Sequence, residues 1–177
     1  MKRVIIIVFF LLSACAGRRV TSLSEIELLL SSTSSFPDNI LCVQRGEISH
    51  LPDSVRFSPK LLFFADSTDC TECLITKLPL FEKMFTMAKE SGRFEVMILL
   101  CPSHAKYEET LLWVSLLDYP FPVYFDSEFA FRSLNPFFSD DSHLHTVSVN
   151  ADGQIVLVGD PRVNDKMLAL FKERMNI

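Results

Sequence analysis

Cys70-Thr71-Glu72-Cys73 falls between an apolar run, Lys60 to Ala65 (KLLFFA), and a stretch from Thr71 to Glu90 in which Leu74, Leu78, Phe81, Phe85 and Ala88 recur three or four apart. A short apolar run without alternation fits a strand buried on both faces of a sheet. The spacing after it predicts a helix that Ser91-Gly92 stops. A CxxC on the first turn of a helix that follows a strand is the arrangement used for thiol-disulfide exchange. Unpaired N–H groups and the positive end of the helix dipole favour thiolate at the first cysteine; the second, three residues on, can close a small ring and expel a bound partner. Asp69 and Glu72 flank the thiols, and like charge opposes thiolate, which points to a weak oxidant and so to a reducing or slow protein. A zinc site would need a second Cys or His pair at ligand spacing. Cys42, Cys101, His143 and His145 are the other candidates, and none repeats the CxxC or an HxxxH spacing.

The pattern continues as strand, helix, strand, helix: Phe94 to Leu100 predicts a second buried strand, and His104 to Leu117 a helix with Tyr107, Leu111, Val114 and Leu117 on one side. That order implies parallel strands joined by helical crossovers. Pro122 to Phe125 predicts a third strand and Ser127 to Leu134 a short helix that Asn135-Pro136 ends. Leu144 to Asn150 and Gln154 to Val158 flank Ala151-Asp152-Gly153 as an antiparallel hairpin, and Asn164 caps a last helix carrying Met167, Leu168, Phe171 and Met175. Upstream, Ser22 to Glu25 has capping-box spacing before a short helix, and Ile40 to Val43 with Glu47 to Leu51 predicts a hairpin around Gln44-Arg45-Gly46. The expected architecture is α/β, a mixed central sheet with helices on both faces.

Lys2 and Arg3 precede nine apolar residues, Val4 to Leu12, then Ser13, Ala14 and Cys15. This is the charged, apolar, small-residue order of a secretory signal, and its core is too short for a spanning helix of about 20 residues. Leu12-Ser13-Ala14-Cys15 resembles the lipobox of bacterial lipoproteins, which implies lipidation on Cys15 and anchoring to a membrane, with Arg18-Arg19 as a short basic tether. The expected divisions are 1–14 signal peptide, 15–59 lipid-anchored tether and N-terminal extension, and 60–177 the folded domain. The 177 residues carry 17 Lys and Arg against 22 Asp and Glu, a net charge of -5, with no basic run, which argues against nucleic acid as a partner. There is no Ser-His-Asp set, phosphate loop or paired-carboxylate site.

Residues 60 to 177 resemble the thioredoxin-like fold in its membrane-tethered, periplasmic redoxin branch. The resemblance is carried by the strand before Cys70 to Cys73, by Phe121-Pro122-Val123-Tyr124 with Asp126 behind it, by Asn150-Ala151-Asp152-Gly153-Gln154-Ile155 and by the last helix. It implies a thiol-disulfide oxidoreductase facing the periplasm from the bacterial cell envelope. Cys70 would be the attacking cysteine and Cys73 the resolving one, with protein or small-molecule thiols and disulfides as substrates and no cofactor or resident metal. Asp69 stands where the family has Trp, and Pro79 is one residue later than the family's helix proline. Leu144 stands where the family has a cis-proline beside the sulfurs, so the substrate groove is assigned to Leu144 with His143 and His145. A non-proline cis bond costs roughly 3 kcal/mol, so a trans loop is expected there. His143 and His145 read as exposed strand-end residues. Two other functions stay open: a non-catalytic interaction lipoprotein, and a metal carrier using Cys70, Cys73 and His143 or His145. A pairing of Cys42 with Cys101 also stays open.

Overall fold

The computed structural model describes residues 23–67 and 71–177. Cys15 with the signal segment, Asp69 and Cys70 lie outside the described residues, as does the side chain of Glu72. Residues 23–30 form helix α1, followed by β1 (Ile40–Gln44), β2 (Glu47–His50), α2 (Asp53–Arg56), β3 (Lys60–Ala65), α3 (Thr71–Thr76), α4 (Glu82–Ser91), β4 (Glu95–Leu100) and α5 (Tyr107–Leu116). After them come β5 (Val123–Asp126), α6 (Phe131–Leu134), β6 (Thr146–Val149), β7 (Ile155–Val158) and α7 (Asp165–Met175). The seven strands form one sheet in the order β2-β1-β5-β4-β3-β6-β7. Its centre, β3, β4 and β5, is parallel, and the flanking pairs are antiparallel.

All six residues of β3 are buried, which is why its sequence shows no alternation. Successive side chains still point to opposite faces and sort into two cores. Leu61, Phe63 and Ala65, with Val96, Ile98 and Leu100 of β4, pack under α4, α5 and α7 through Phe85, Val114 and Phe171. Leu62 and Phe64, with Met97 and Leu99, pack against Leu29 of α1, Val55 of α2 and Phe131 of α6. Helices therefore cover both faces, as the sequence predicts. Each large apolar side chain removed from water in these layers contributes roughly 1.5–3 kcal/mol before the entropy of ordering is subtracted. Residues 23–59, expected as tether and extension, supply α1, β1, β2 and α2 to this same sheet and core, with Leu29 and Ile40 fully buried.

Three elements differ from expectation. The helix predicted over Thr71 to Glu90 is broken: a 3-10 turn, Leu78–Phe81, separates α3 from α4. Pro79 has no N–H to give the preceding turn, and the Leu78 carbonyl instead accepts from the Tyr119 hydroxyl at 2.7 Å. The strand predicted from Leu144 starts at Thr146, because Ser142–Leu144 is a 3-10 turn capped by the Asp141 side chain, which accepts from the His143 N–H. In α5 the buried positions are Thr110 and Val114, while Leu117 is exposed. The β1–β2 turn is as expected: Arg45 and Gly46 both have positive φ, 50° and 75°, the conformation a two-residue hairpin loop needs to match strand twist. Asn164 caps α7, its Oδ1 accepting from the Met167 N–H at 2.9 Å.

Candidate functional site

The chain leaves the C-terminal end of β3, an interior strand, at Ala65 and returns as α3, which carries Cys73 in its first turn. Cys73 is exposed, and its sulfur is in a disulfide. The partner is neither Cys42 nor Cys101, which are not disulfide-bonded. Both are buried, Cys42 on β1 and Cys101 just past β4. With β5 between β1 and β4, two strand spacings of roughly 4.8 Å each keep their Cα atoms beyond the reach of a disulfide. The pairing that the sequence left open is thus not formed. Burial pushes the Cys42 thiol up from its ordinary pKa, against hydrogen bonds to Ser49 and Tyr124 that pull it down. Such a thiol is a poor nucleophile.

Cys73 lines a cavity of about 320 Å³ with Leu74 and Lys77 on its own side and Phe81, His145 and Arg162 across from it. His145 reaches this place because β6 pairs antiparallel with β3, Thr146 opposite Phe63, and the next residue lies beside Phe64. There the Phe64 N–H donates to the His145 carbonyl at 3.0 Å, and the imidazole stacks on the Phe64 ring with centroids 4.0 Å apart. The His145 Nε2 lies 2.8 Å from the Ser139 carbonyl oxygen, which can only accept, so Nε2 carries the proton. Arg162, in the loop after β7, is fixed by a forked ion pair with Asp160, and its guanidinium lies 3.7 Å from the Phe81 ring centroid and 4.8 Å from that of Phe63.

Of the three residues assigned to the groove, only His145 lines this cavity. His143 is exposed; His145 is 3% exposed, so the expectation of two exposed strand-end histidines fails for it. The two rings part because they sit at the end of a 3-10 turn and not on a strand with period two. Leu144 is buried in the α1-side core with Phe64 and Phe138, and its N–H donates to the Asp141 carbonyl at 2.9 Å. Among the described residues no peptide bond is cis and no group of three or more His, Cys, Asp or Glu is placed to hold a metal ion. Arg162 and Lys77 were missed from sequence. Arg162 had no periodic signal, since it reaches the site only through the loop that follows β7.

No family model matches the chain, and no curated protein matches it. Solved structures do. A candidate thiol:disulfide interchange protein DsbE from Chlorobium tepidum is 17% identical over 82% of this chain and 99% of its own, with a TM-score of 0.54. AhpC from Enterococcus faecalis is 16% identical over 83% of this chain and 92% of its own, with a TM-score of 0.50. At these identities the likeness is one of fold, and in strand order, mixed pairing and two helical layers the chain has a thioredoxin-like fold.

Proposed function

We propose that the chain is a thiol-disulfide oxidoreductase whose active pair is Cys70 and Cys73. The observation that carries this reading is the exposed, disulfide-bonded Cys73 in the first turn of the helix that follows β3, where Cys70 is the neighbouring cysteine in sequence. In the reduced form the Cys70 thiolate attacks a substrate disulfide, forming a mixed disulfide and releasing one substrate thiolate. The Cys73 thiolate then attacks the Cys70 sulfur and releases the second. Two electrons leave the protein, which ends as its own disulfide, and an external dithiol must reduce it before the next turn. The acidic neighbours Asp69 and Glu72 disfavour the thiolate and set the direction toward reduction. His145, proton-bearing and buried across the cavity from Cys73, and Arg162 form a rigid wall against which the substrate sulfur is placed.

The same reading includes lipidation at Cys15 and a position in the bacterial envelope facing the periplasm, supported by the lipobox-like Leu12 to Cys15. Insulin reduction driven by dithiothreitol tests the chemistry. Cys70→Ser should abolish it, and Cys73→Ser should accumulate mixed disulfides. Wild-type activity in both variants would reject the assignment. Labelled-lipid incorporation should require Cys15, and equal labelling of Cys15→Ala would reject the anchor.

A further inference from the structure

A second cavity, of about 450 Å³, opens at the C-terminal ends of the three parallel strands and is lined by residues with no part in the exchange chemistry above. Its wall carries Asp66 after β3, Asp126 at the end of β5, and Asp140, with Arg132, His104 and Phe129 around them. Crevices at this end of parallel strands are where open α/β sheets hold ligands. Asp126 is 1% exposed. Its Oδ2 accepts from the Phe131 N–H at 2.7 Å, and its Oδ1 is buried with no hydrogen-bond partner. A buried carboxylate oxygen left without a donor is unfavourable, because it has given up water and gained nothing in return.

Arg132, which lines the same cavity, does not supply that donor. Arg132 pairs with Asp66 at 2.9 Å and Asp140 at 2.7 Å and donates from Nη1 to the Phe138 and Ser139 carbonyls. Among the described lining residues, three carboxylates thus stand with one guanidinium, and the surplus charge is negative. A bare metal ion does not fit, because no three of the described acidic, His or Cys groups converge on one point. The cavity also has an aromatic lining: the Phe129 ring lies 3.6 Å from that of His104 and 5.6 Å from Tyr107, and Phe129 holds a positive φ of 55°, uncommon for a bulky residue. An unpartnered buried carboxylate and an aromatic ring lining one cavity of this size are the chemistry that recognises an organic ammonium or guanidinium group.

We propose that this cavity binds an organic cation, a primary ammonium or a guanidinium, through the Asp126 carboxylate and the face of Phe129. The site stands independently of the redox pair, so its test needs no turnover. Isothermal titration of the full-length chain with butylammonium and with argininamide should show saturable binding, with butyrate silent. Asp126→Asn keeps the oxygen that caps Phe131 but turns a donor toward the ligand, and should weaken binding by about ten-fold or more. Phe129→Gly, which accepts the positive φ, should weaken it too, and it serves where Asp126→Asn does not fold. Perturbed amide resonances at Asp126 and Phe129 should map the ligand to the cavity. Acetyl-Gly-Arg-Gly-amide binding more tightly than argininamide identifies a peptide side chain as the source, and the reverse order a free amine. Absence of saturable binding, equal binding by butyrate, unchanged affinity in the folded variants, or displacement of the organic cation by Ca²⁺ would overturn the proposal.

Discussion

The imidazole of His145 lies flat on the ring of Phe64, centroids 4.0 Å apart and planes 24° from parallel, and joins the sheet's core to the cavity beside Cys73. Phe138 meets the same imidazole edge-on at 89°. The histidine is therefore a packed wall of the site as well as a hydrogen-bond donor. His145→Ala should lose the ring contacts and one of the two donors to the Ser139 carbonyl, the other being Arg132, destabilising the fold by about 2–4 kcal/mol in urea unfolding. A loss within experimental error would mean that the ring is not packed there.

Leu144→Pro is the substitution that would restore the proline expected beside the sulfurs. Here it should harm. It removes the N–H that donates to the Asp141 carbonyl and a buried side chain of the core at once. A destabilisation of about 3 kcal/mol or more, with no gain in disulfide reduction, is expected. Enhanced turnover in a stable variant would show that the loop accepts the family geometry.

Lys60 is 2% exposed at the start of β3, its ammonium donating to the Arg56 and Ser58 carbonyls, and burial lowers its pKa from 10.5 to about 8. Glu95 partly offsets that shift, and Arg56 adds to it. Between pH 8 and 10.5 the unfolded chain binds the proton that the folded chain has released, so stability rises with pH across that window. Compared with Lys60→Met, the wild-type chain should gain on the order of 2 kcal/mol between pH 7.5 and 10.5 in denaturant titrations. A difference that stays flat would contradict the lowered pKa.

Cysteine labelling separates the buried thiols from the exposed Cys73. With the disulfide reduced, a native-state thiol reagent should modify Cys73 quickly and leave Cys42 and Cys101 slow until denaturant is added. Peptide mapping after a short pulse checks it, and rapid labelling at Cys42 would contradict a buried thiol with a raised pKa.

Asn164→Ala should cost about 1 kcal/mol, since the Met167 N–H loses its cap, while Phe171→Ala in the same helix should cost about 3–5 kcal/mol. Thermal unfolding that ranks the two the other way would show α7 held by its end and not by its packing.

The elements were legible in the sequence wherever local chemistry decides them. Lys60 to Ala65 is apolar throughout because both faces of β3 are covered, and Arg45-Gly46 and Asn164 mark their turn and cap because positive φ and an unpaired N–H are needs of a few adjacent residues. Thr71 to Cys73 at the start of a helix after a strand was visible for the same reason. Periodicity failed where proline or a side chain from elsewhere intervened. Pro79 cut the long helix, with Tyr119, 41 residues distant in sequence, taking up the Leu78 carbonyl. The site's walls were beyond local reading altogether. His145 is buried and Leu144 turned into the core because the β6 ladder with β3 stops at Thr146, and Arg162 arrives from a loop whose position depends on Asp160 and two phenylalanine rings. The sequence by itself determined where most strands and helices form and that Cys73 lies in the first turn of the helix after β3. Only the tertiary structure decided what faces that cysteine, because strand pairing and burial are set by contacts between residues far apart in the chain.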